Sequence, residues 1–499
     1  MNAQRKSDGR VVPMRPANNG GTEPPAESGE ERRPARRNTK QSNLDRTQKP
    51  ERRRSRGLFG VREAARQSRQ LRFTALLHHI GEELLTASFY ELRKTAAVGV
   101  DKMTWHEYEQ GLEERITDLH GRIHRGAYRA TPSKRVYIDK SDGRKRPLGI
   151  ASLEDKIVQR AVRTVLECIY EEDFLGFSYG FRPRRGAHQA LDALSFAITD
   201  KRVNWILDAD IEGFFDNIDR DWLVKFLEHR IGDRRLIRLI QKWLKAGVIE
   251  ETEWSDTGKG TPQGAVISPM LANVFLHYVL DLWVHQWRGR HAQGECYIVR
   301  YADDFVIGFE HEMDARACLT ALRERMQKFG LHLHPDKTRL IEFGRDSAAR
   351  REREGRGRCE TFDFLGFTHI CAKTRKTRQF TVRRITMAKR LRRTLAAIKI
   401  QLTRRRHESL GCTGRWLGSV LRGWLGYHAV PGNYRRLEQC ATAVTKLWLR
   451  QLQRRSQRGR TRWNWARMPR LVRRYLPRLR ILHPYPDTRF RARLRAGAV

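Results

Sequence analysis

The chain has few acidic residues relative to its basic ones, few cysteines and no long apolar run. Its 7 cysteines contain no Cys-x-x-Cys pair, which excludes a small disulfide scaffold and suggests a reducing compartment. Cys359, His369 and Cys371 fall close together, but not at the spacing of a structural zinc site, and read as ordinary buried or strand residues. Nothing approaches the roughly 18–20 apolar residues of a membrane span, and the N-terminus has no apolar signal core, so the protein is expected to be soluble and not secreted. The shortage of acids is the most informative absence. With 57 Asp and Glu against 99 Lys and Arg over 499 residues, the formal charge of +42 exceeds what solubility needs and implies a polyanionic partner. The excess is uneven. From Cys371 to Val499 there are 35 Lys and Arg against 3 Asp and Glu, which places 32 of the 42 excess charges in the last quarter of the chain.

The acids that do occur in the middle of the chain are arranged for chemistry. Tyr297-Ile298-Val299 and Phe305-Val306-Ile307-Gly308-Phe309 are short apolar runs on either side of Tyr301-Ala302-Asp303-Asp304, a pattern that predicts a β-hairpin with two carboxylates at its turn. Adjacent like charges there are unfavourable unless a cation screens them. Oxygen ligands on a compact turn suit Mg²⁺. A second short strand, Trp205-Ile206-Leu207-Asp208-Ala209-Asp210-Ile211, also carries acids. Two-metal phosphoryl transfer needs two divalent ions about 3.5–4 Å apart, held by carboxylates from different strands. Asp210 and Asp303 are the expected shared ligands and Asp304 a more peripheral acid. Taken alone, either element also reads as a solvated turn or a helix cap.

These blocks resemble the reverse transcriptase/maturase proteins encoded by bacterial group II introns, and the match runs in order over most of the chain. Val98–Thr104 is similar to the N-terminal block of that family. Arg146–Ile150 through Gln159 resembles its first fingers motif, and Ser178–Pro183 with Ala187-His188 the second. Asp210–Asp219 resembles the third and Gly260–Gly264 through Ser268-Pro269 to Asn273 the fourth. Tyr301–Phe305, Leu331–Thr338 and Phe362–Phe367 are similar to the fifth, sixth and seventh. The resemblance implies an α+β right-hand polymerase, with fingers and an antiparallel palm sheet followed by an α-helical thumb or maturase (X) domain. The expected divisions are a disordered basic tail over 1–56, a helical extension over 57–118, fingers and palm over 119–369, thumb over 370–470 and a basic C-terminal tail over 471–499.

Composition and periodicity support parts of that division. Residues 1 to about 56 have almost no large apolar side chains and cannot bury enough surface to order themselves. Apolar residues at three-to-four spacing predict helix between Leu71 and His120, and Tyr137–Asp139 with Arg146–Ile150 predicts a hairpin about Asp142-Gly143. Arg383–Arg406 reads as one long basic helix. Trp424 reads as core rather than as a base-stacking residue. After Cys440 there is no paired-cysteine or His-Asn-His pattern, so the endonuclease domain of many relatives is not expected.

The resemblance also implies roles. Asp210, Asp303 and Asp304 would be catalytic, and with Ile211 they would hold two Mg²⁺. Lys140, Arg146, Phe215 and Gln263 would bind the nucleotide. The two cations would meet its triphosphate, unless they are simply solvated hairpin residues, and Phe215 would exclude a ribose 2′-OH. Arg383, Arg384, Arg390, Arg415 and Arg422 are the candidate RNA contacts. The implied function is RNA-directed DNA polymerisation together with binding of the intron RNA for splicing and mobility, in the bacterial cytoplasm. Partners would be group II intron RNA, an RNA template with a DNA or RNA primer, target DNA and deoxynucleoside triphosphates, with no membrane; a homodimer is left open. The alternatives are a splicing cofactor without polymerase activity and a domesticated reverse transcriptase in phage defence. A decayed enzyme would have lost acids, and none of the expected ones is missing.

Overall fold

The computed structural model describes residues 49–139, 145–250, 253–255, 260, 264–374, 376–457 and 459–495. Eleven strands among them form three sheets. The first contains β1 (Ser133–Asp139), β2 (Lys145–Ile150), β4 (Val248–Glu250) and β5 (Glu253–Ser255) in the order β2-β1-β4-β5. The second contains β3 (Trp205–Ala209), β6 (Cys296–Tyr301), β7 (Asp304–Phe309) and β8 (Arg339–Glu342) in the order β6-β7-β3-β8. The third is β11-β10-β9, from β9 (Phe362–Phe364), β10 (Phe367–Lys373) and β11 (Phe380–Thr386). All pairings are antiparallel except β1 with β4. The expected hairpin is the β1–β2 pair, with Asp139 opposite Lys145.

The second sheet is buried on both faces, and strand alternation explains how. Leu207, Ile298, Phe305 and Ile307 enter one core with the long helix Leu153–Asp173. Ile206, Val299, Val306 and Ile341 point the other way, into a core shared with the helix Ala187–Asp200 and with Phe362, Phe367 and Val382 of the third sheet. Sheets buried on both sides read as continuous apolar runs, which is why these strands are legible.

The helical periodicity between Leu71 and His120 corresponds to several short helices. Leu71–His120 resolves into helices Glu82–Tyr90, Trp105–Glu109 and Leu112–His124, and Phe73 bridges to Ile231 in extended conformation. Of the expected N-terminal tail, 1–48 lies outside the described residues, and 49–56 begins the helix Lys49–Gln67. The helix Ser268–Leu276 continues through a π turn, His277–Asp281, into Leu282–Arg290.

One expectation is overturned. Arg383–Arg406 is not a single helix: residues up to Thr386 form β11, and helix starts at Ala388 and runs to Arg404. The β-branched Thr381, Val382, Ile385 and Thr386 favour a strand, and pairing with β10 supplies the backbone partners. The correction changes which arginines are outward. Along β11, Val382, Arg384 and Thr386 are buried while Arg383 is exposed.

Beyond β11 the helices Ala388–Arg404, Leu410–His428, Tyr434–Gln453 and Met468–Tyr475 enclose a third core, which includes Leu417, Trp448 and, as expected, Trp424. The helix Pro486–Arg495 then returns to pack on Ala187–Asp200, and Phe490 stacks on Phe196 at 4.7 Å. Among the described residues no helix is long and apolar enough to cross a membrane.

Candidate active site

The acids converge through register. Ala209 pairs with Phe305 and Asp208 with Val306, so one step further along the same ladder brings Asp210 opposite Asp304. Because Ile206 and Val306 face the core shared with the third sheet, alternation puts Asp208, Asp210 and Asp304 on that same face. Tyr301 pairs with Asp304, leaving Ala302-Asp303 as a two-residue loop. Ala302 has φ +60°. A positive φ at the first loop position alone is the sign pattern of a type II′ turn, where glycine is usual.

Charge crowding is severe at this end of the sheet. Asp304 reaches solvent, yet protein surrounds its carboxyl; that desolvation, then repulsion from Asp303, Asp210 and Asp208, raises it to about 7, with Lys337 opposing. Asp208 is raised to about 6, first by burial, with Asp363 and Asp210 adding repulsion against the pull of Arg339, whose guanidinium lies 3.7 Å away. Asp210 Oδ2 accepts a hydrogen bond from Lys337 Nζ at 2.6 Å. Both partners are partly exposed, and such pairs contribute only about 0–1 kcal/mol, weak enough for a divalent cation to displace the ammonium. Among the described residues no three His, Cys, Asp or Glu side chains are already drawn together as a finished ligand set. The donor set nonetheless suits a hard divalent cation: carboxylate oxygens, crowded enough that one of them holds its proton near neutrality.

Ile211 adds a backbone group. It bridges Leu333, but the flanking bonds belong to Glu212 N with His332 O and to His334 N with Asp210 O. In that arrangement the Ile211 carbonyl faces away from Leu333, toward the side on which β7 lies.

Phe215 is half-buried on the short helix Phe214–Asn217, five positions after Asp210, with its ring 5.3 Å from that of Phe214. Lys140 and Gln263 lie outside the described residues, and Arg146 stands on β2 opposite Ile138. The anchors of the Gly260–Gly264 loop are described, and both have positive φ. A Cβ on Gly260 would press on the Phe215 and Asp216 carbonyls, and one on Gly264 would lie 2.9 Å from Gly149 O. Gly260 therefore abuts the Phe215 helix and Gly264 abuts β2.

Three residues of this cluster are not among those expected from the sequence. Asp208 was detectable, being two positions from Asp210 and hence on its face. Lys337 and Arg339 become neighbours only through pairing of the chain around β8 with β3. Among the candidate RNA contacts, Arg384 is a correction. It is buried, and its Nη1 donates to Asp192 Oδ1 at 2.9 Å, so no RNA phosphate can reach it. Arg390 is half-buried over Tyr427 and against Gly366, whereas Arg383, Arg415 and Arg422 are exposed. Arg383 lines a groove of about 270 Å³ with Arg435 and Arg436.

Comparison with known proteins identifies the family. Residues 138–369 match the family model described as reverse transcriptase (RNA-dependent DNA polymerase). The chain is 33% identical over 279 residues to Protein YkfC of Escherichia coli (strain K12), covering 48% of this chain and 71% of that protein. It is 43% identical over 175 residues to the group II intron-encoded protein LtrA of Lactococcus lactis subsp. cremoris, covering 35% of this chain and 29% of LtrA. It is 31% identical over 129 residues to nuclear intron maturase 3, mitochondrial, of Arabidopsis thaliana, covering 26% of this chain and 18% of that maturase. The chain thus spans most of YkfC but under a third of LtrA. Reverse transcriptases in general use divalent metal ions and nucleic-acid templates. With the ordered motifs, the acid-bearing sheet and these relatives together, the chain belongs to the group II intron-encoded reverse transcriptases and maturases, a family of RNA-directed DNA polymerases.

Proposed function

We propose that the protein extends a primer 3′-hydroxyl with deoxynucleotides on an RNA template, and that it binds a group II intron RNA to assist its splicing and mobility. The observation that carries the polymerase reading is the convergence of Asp210 with Asp303-Asp304 at one end of one sheet, with Asp304 raised to about 7. Asp210, the Ile211 carbonyl, Asp303 and Asp304 would hold two Mg²⁺. Ions bound there would lower the pKa of the attacking hydroxyl and neutralise charge on the leaving pyrophosphate. The chain's own residues do the positioning: Lys337 holds Asp210 until the site is loaded, and Gly260 packs against the backbone of the helix that carries Phe215. A splicing cofactor without polymerase activity would have no use for an acid cluster whose charges repel one another.

The Phe215 ring is proposed to lie beneath the sugar of the incoming nucleotide. Phe215→Ala is expected to raise ribonucleotide incorporation while deoxynucleotide extension falls only modestly. Competition assays with both nucleotide types read this directly, and unchanged discrimination would remove Phe215 from the sugar pocket.

The helices after β11 are proposed to act as the thumb and RNA grip. Among the five candidate RNA contacts, the exposed ones are Arg383 on β11 and Arg415 and Arg422 on the helix Leu410–His428. Replacing all three with Ala should lower the slope of log affinity against log salt by roughly 2–3, at about 0.7–0.9 for each phosphate no longer neutralised. An unchanged slope would place the RNA elsewhere. The deciding experiment pairs primer extension on an RNA template with a comparison of the protein's own intron RNA against an unrelated structured RNA of equal length. Extension with a preference for the intron supports both halves. Equal affinity at physiological salt removes the maturase half.

A further inference from the structure

We infer that Arg300, a residue with no role in the chemistry described above, is the positioning residue that sets the Asp303 turn. The inference rests on the reading of Asp303 as a metal-holding catalytic acid. Arg300 lies on β6 and is fully buried, and a guanidinium has five N–H donors. All five are used. Nε donates to Asp281 Oδ1 at 2.7 Å and Nη2 to Asp281 Oδ2 at 2.5 Å. Nη2 also donates to Ser178 Oγ at 2.7 Å, and Nη1 to Asn273 Oδ1 at 3.0 Å. The fifth N–H, on Nη1, goes to the carbonyl of Ala302 at 2.9 Å.

That last bond acts on the candidate catalytic turn. The Ala302 carbonyl and the Asp303 amide belong to one planar peptide unit, so holding the oxygen fixes the plane from which the Asp303 side chain departs. The turn needs such support because Ala302 sits at φ +60°, unfavourable for a residue with a Cβ.

The other side of the turn is closed by the segment before the helix Ala187–Asp200. Tyr179 N donates to Arg300 O at 2.8 Å and Arg300 N to Phe177 O at 2.9 Å, adding that segment to the edge of β6. A Cβ on Gly180 would collide with the Ala302 amide, and Gly180 O accepts from Asn273 Nδ2 at 2.8 Å.

Asn273 and Asp281 reach the same guanidinium from one helical run. In an unbroken α-helix, positions eight apart would be about 80° out of phase. The π turn His277–Asp281 widens the winding and takes up much of that difference, an example of a π segment tied to a functional site. The helix Ser268–Leu276 and the segment Ser178–Gly180 are thereby joined to the Asp303 turn through one side chain.

The test uses the full-length protein and two substitutions that leave Asp303 intact. Arg300→Lys keeps a positive charge beside Asp281 but has no planar fork to reach all four partners. Asn273→Ala removes one anchor and leaves the Arg300–Asp281 pair whole, so it decides the matter if the lysine variant does not fold. For either, kcat for primer extension should fall by tenfold or more, toward about 100-fold for the lysine variant. KM for deoxynucleotide and affinity for primer–template should stay within about threefold of wild type, since neither binding surface is altered. Hydrogen exchange, which does not depend on activity, should show the Ala302–Phe305 amides opening at least about tenfold faster, with those of β3 unchanged. Unchanged exchange at the turn, or kcat within about threefold of wild type, would overturn the assignment. Asp303→Asn assayed alongside separates the two levels. Extension at about a tenth of the wild-type rate or better in that variant removes the reading of Asp303, whereas a loss of about a thousandfold in Asp303→Asn beside fully active Arg300 and Asn273 variants removes only the role of Arg300.

Discussion

Asp303→Asn is expected to lower primer extension on an RNA template by about a thousandfold or more, roughly 4 kcal/mol of transition-state stabilisation. An amide carries no charge and is a poor ligand for a hard divalent ion, and Asp210 and Asp304 stand in other roles around it. RNA affinity should stay near wild type, because the candidate RNA contacts Arg383, Arg415 and Arg422 lie on β11 and the helices after it. Stability supplies a second signature. The charge on Asp303 is one of those that push Asp304 up to about 7. A carboxyl with a raised folded pKa is destabilising when ionised, so at pH 8 without metal the folded state suffers that repulsion, and below about pH 7 protonation relieves it. Neutralising Asp303 removes part of it. The variant should therefore melt at the same temperature as wild type or higher at pH 8 in the absence of Mg²⁺. An inactive variant that also melts markedly lower would assign Asp303 to structure, and extension at a tenth of the normal rate or better would refute the metal assignment.

Asp192→Ala should have the largest effect on stability. Asp192 is buried on the helix Ala187–Asp200, and two arginines from distant parts of the chain grip it. Arg384 of β11 donates to one carboxylate oxygen, and Arg489 of the helix Pro486–Arg495 to the other. Removing the acid leaves the Arg384 guanidinium buried without its counter-charge, at an expected cost of about 3–5 kcal/mol. The last helix would lose one of its two ion pairs to this region, leaving Arg491 with Asp200 at 2.6 Å. Denaturant unfolding would measure the cost, and limited proteolysis should cut first within 481–495. A loss below about 1 kcal/mol with no new cleavage would show that packing of Phe490 on Phe196 suffices without the acid.

The pair of arginines on Asp192 also revises what the basic C-terminal quarter does. Counted as letters, its cations form one reservoir of positive charge for RNA. In the folded chain Arg384, Arg489 and Arg491 are engaged with acids of the Ala187–Asp200 helix, and Arg390 packs against Tyr427 and Gly366. Charge count thus overstates the RNA-facing surface, and the exposed Arg383, Arg415 and Arg422 remain as its candidates.

The strands carrying Asp210 and Asp303-Asp304 were legible because a doubly buried strand is a short unbroken apolar run and a period of two puts alternate residues on one face. The same alternation puts Asp208 in the cluster with Asp210. The ordered motifs contain Gly180 and Asn273 in two separate stretches, and Arg300 stands one residue before a third. Local patterns could not supply the partners of long side chains. Whether Arg384 meets solvent depends on β11 being a strand, and that depends on β10 lying beside it to take its backbone hydrogen bonds. Lys337 meets Asp210 because the chain around β8 runs next to β3, and Arg300 finds five acceptors because a π turn and a distant loop arrive at the same buried point. Periodicity is a property of neighbours along the chain and survives in the sequence. The satisfaction of a buried charge is a property of neighbours in space, so it exists only once the sheets and helices have packed.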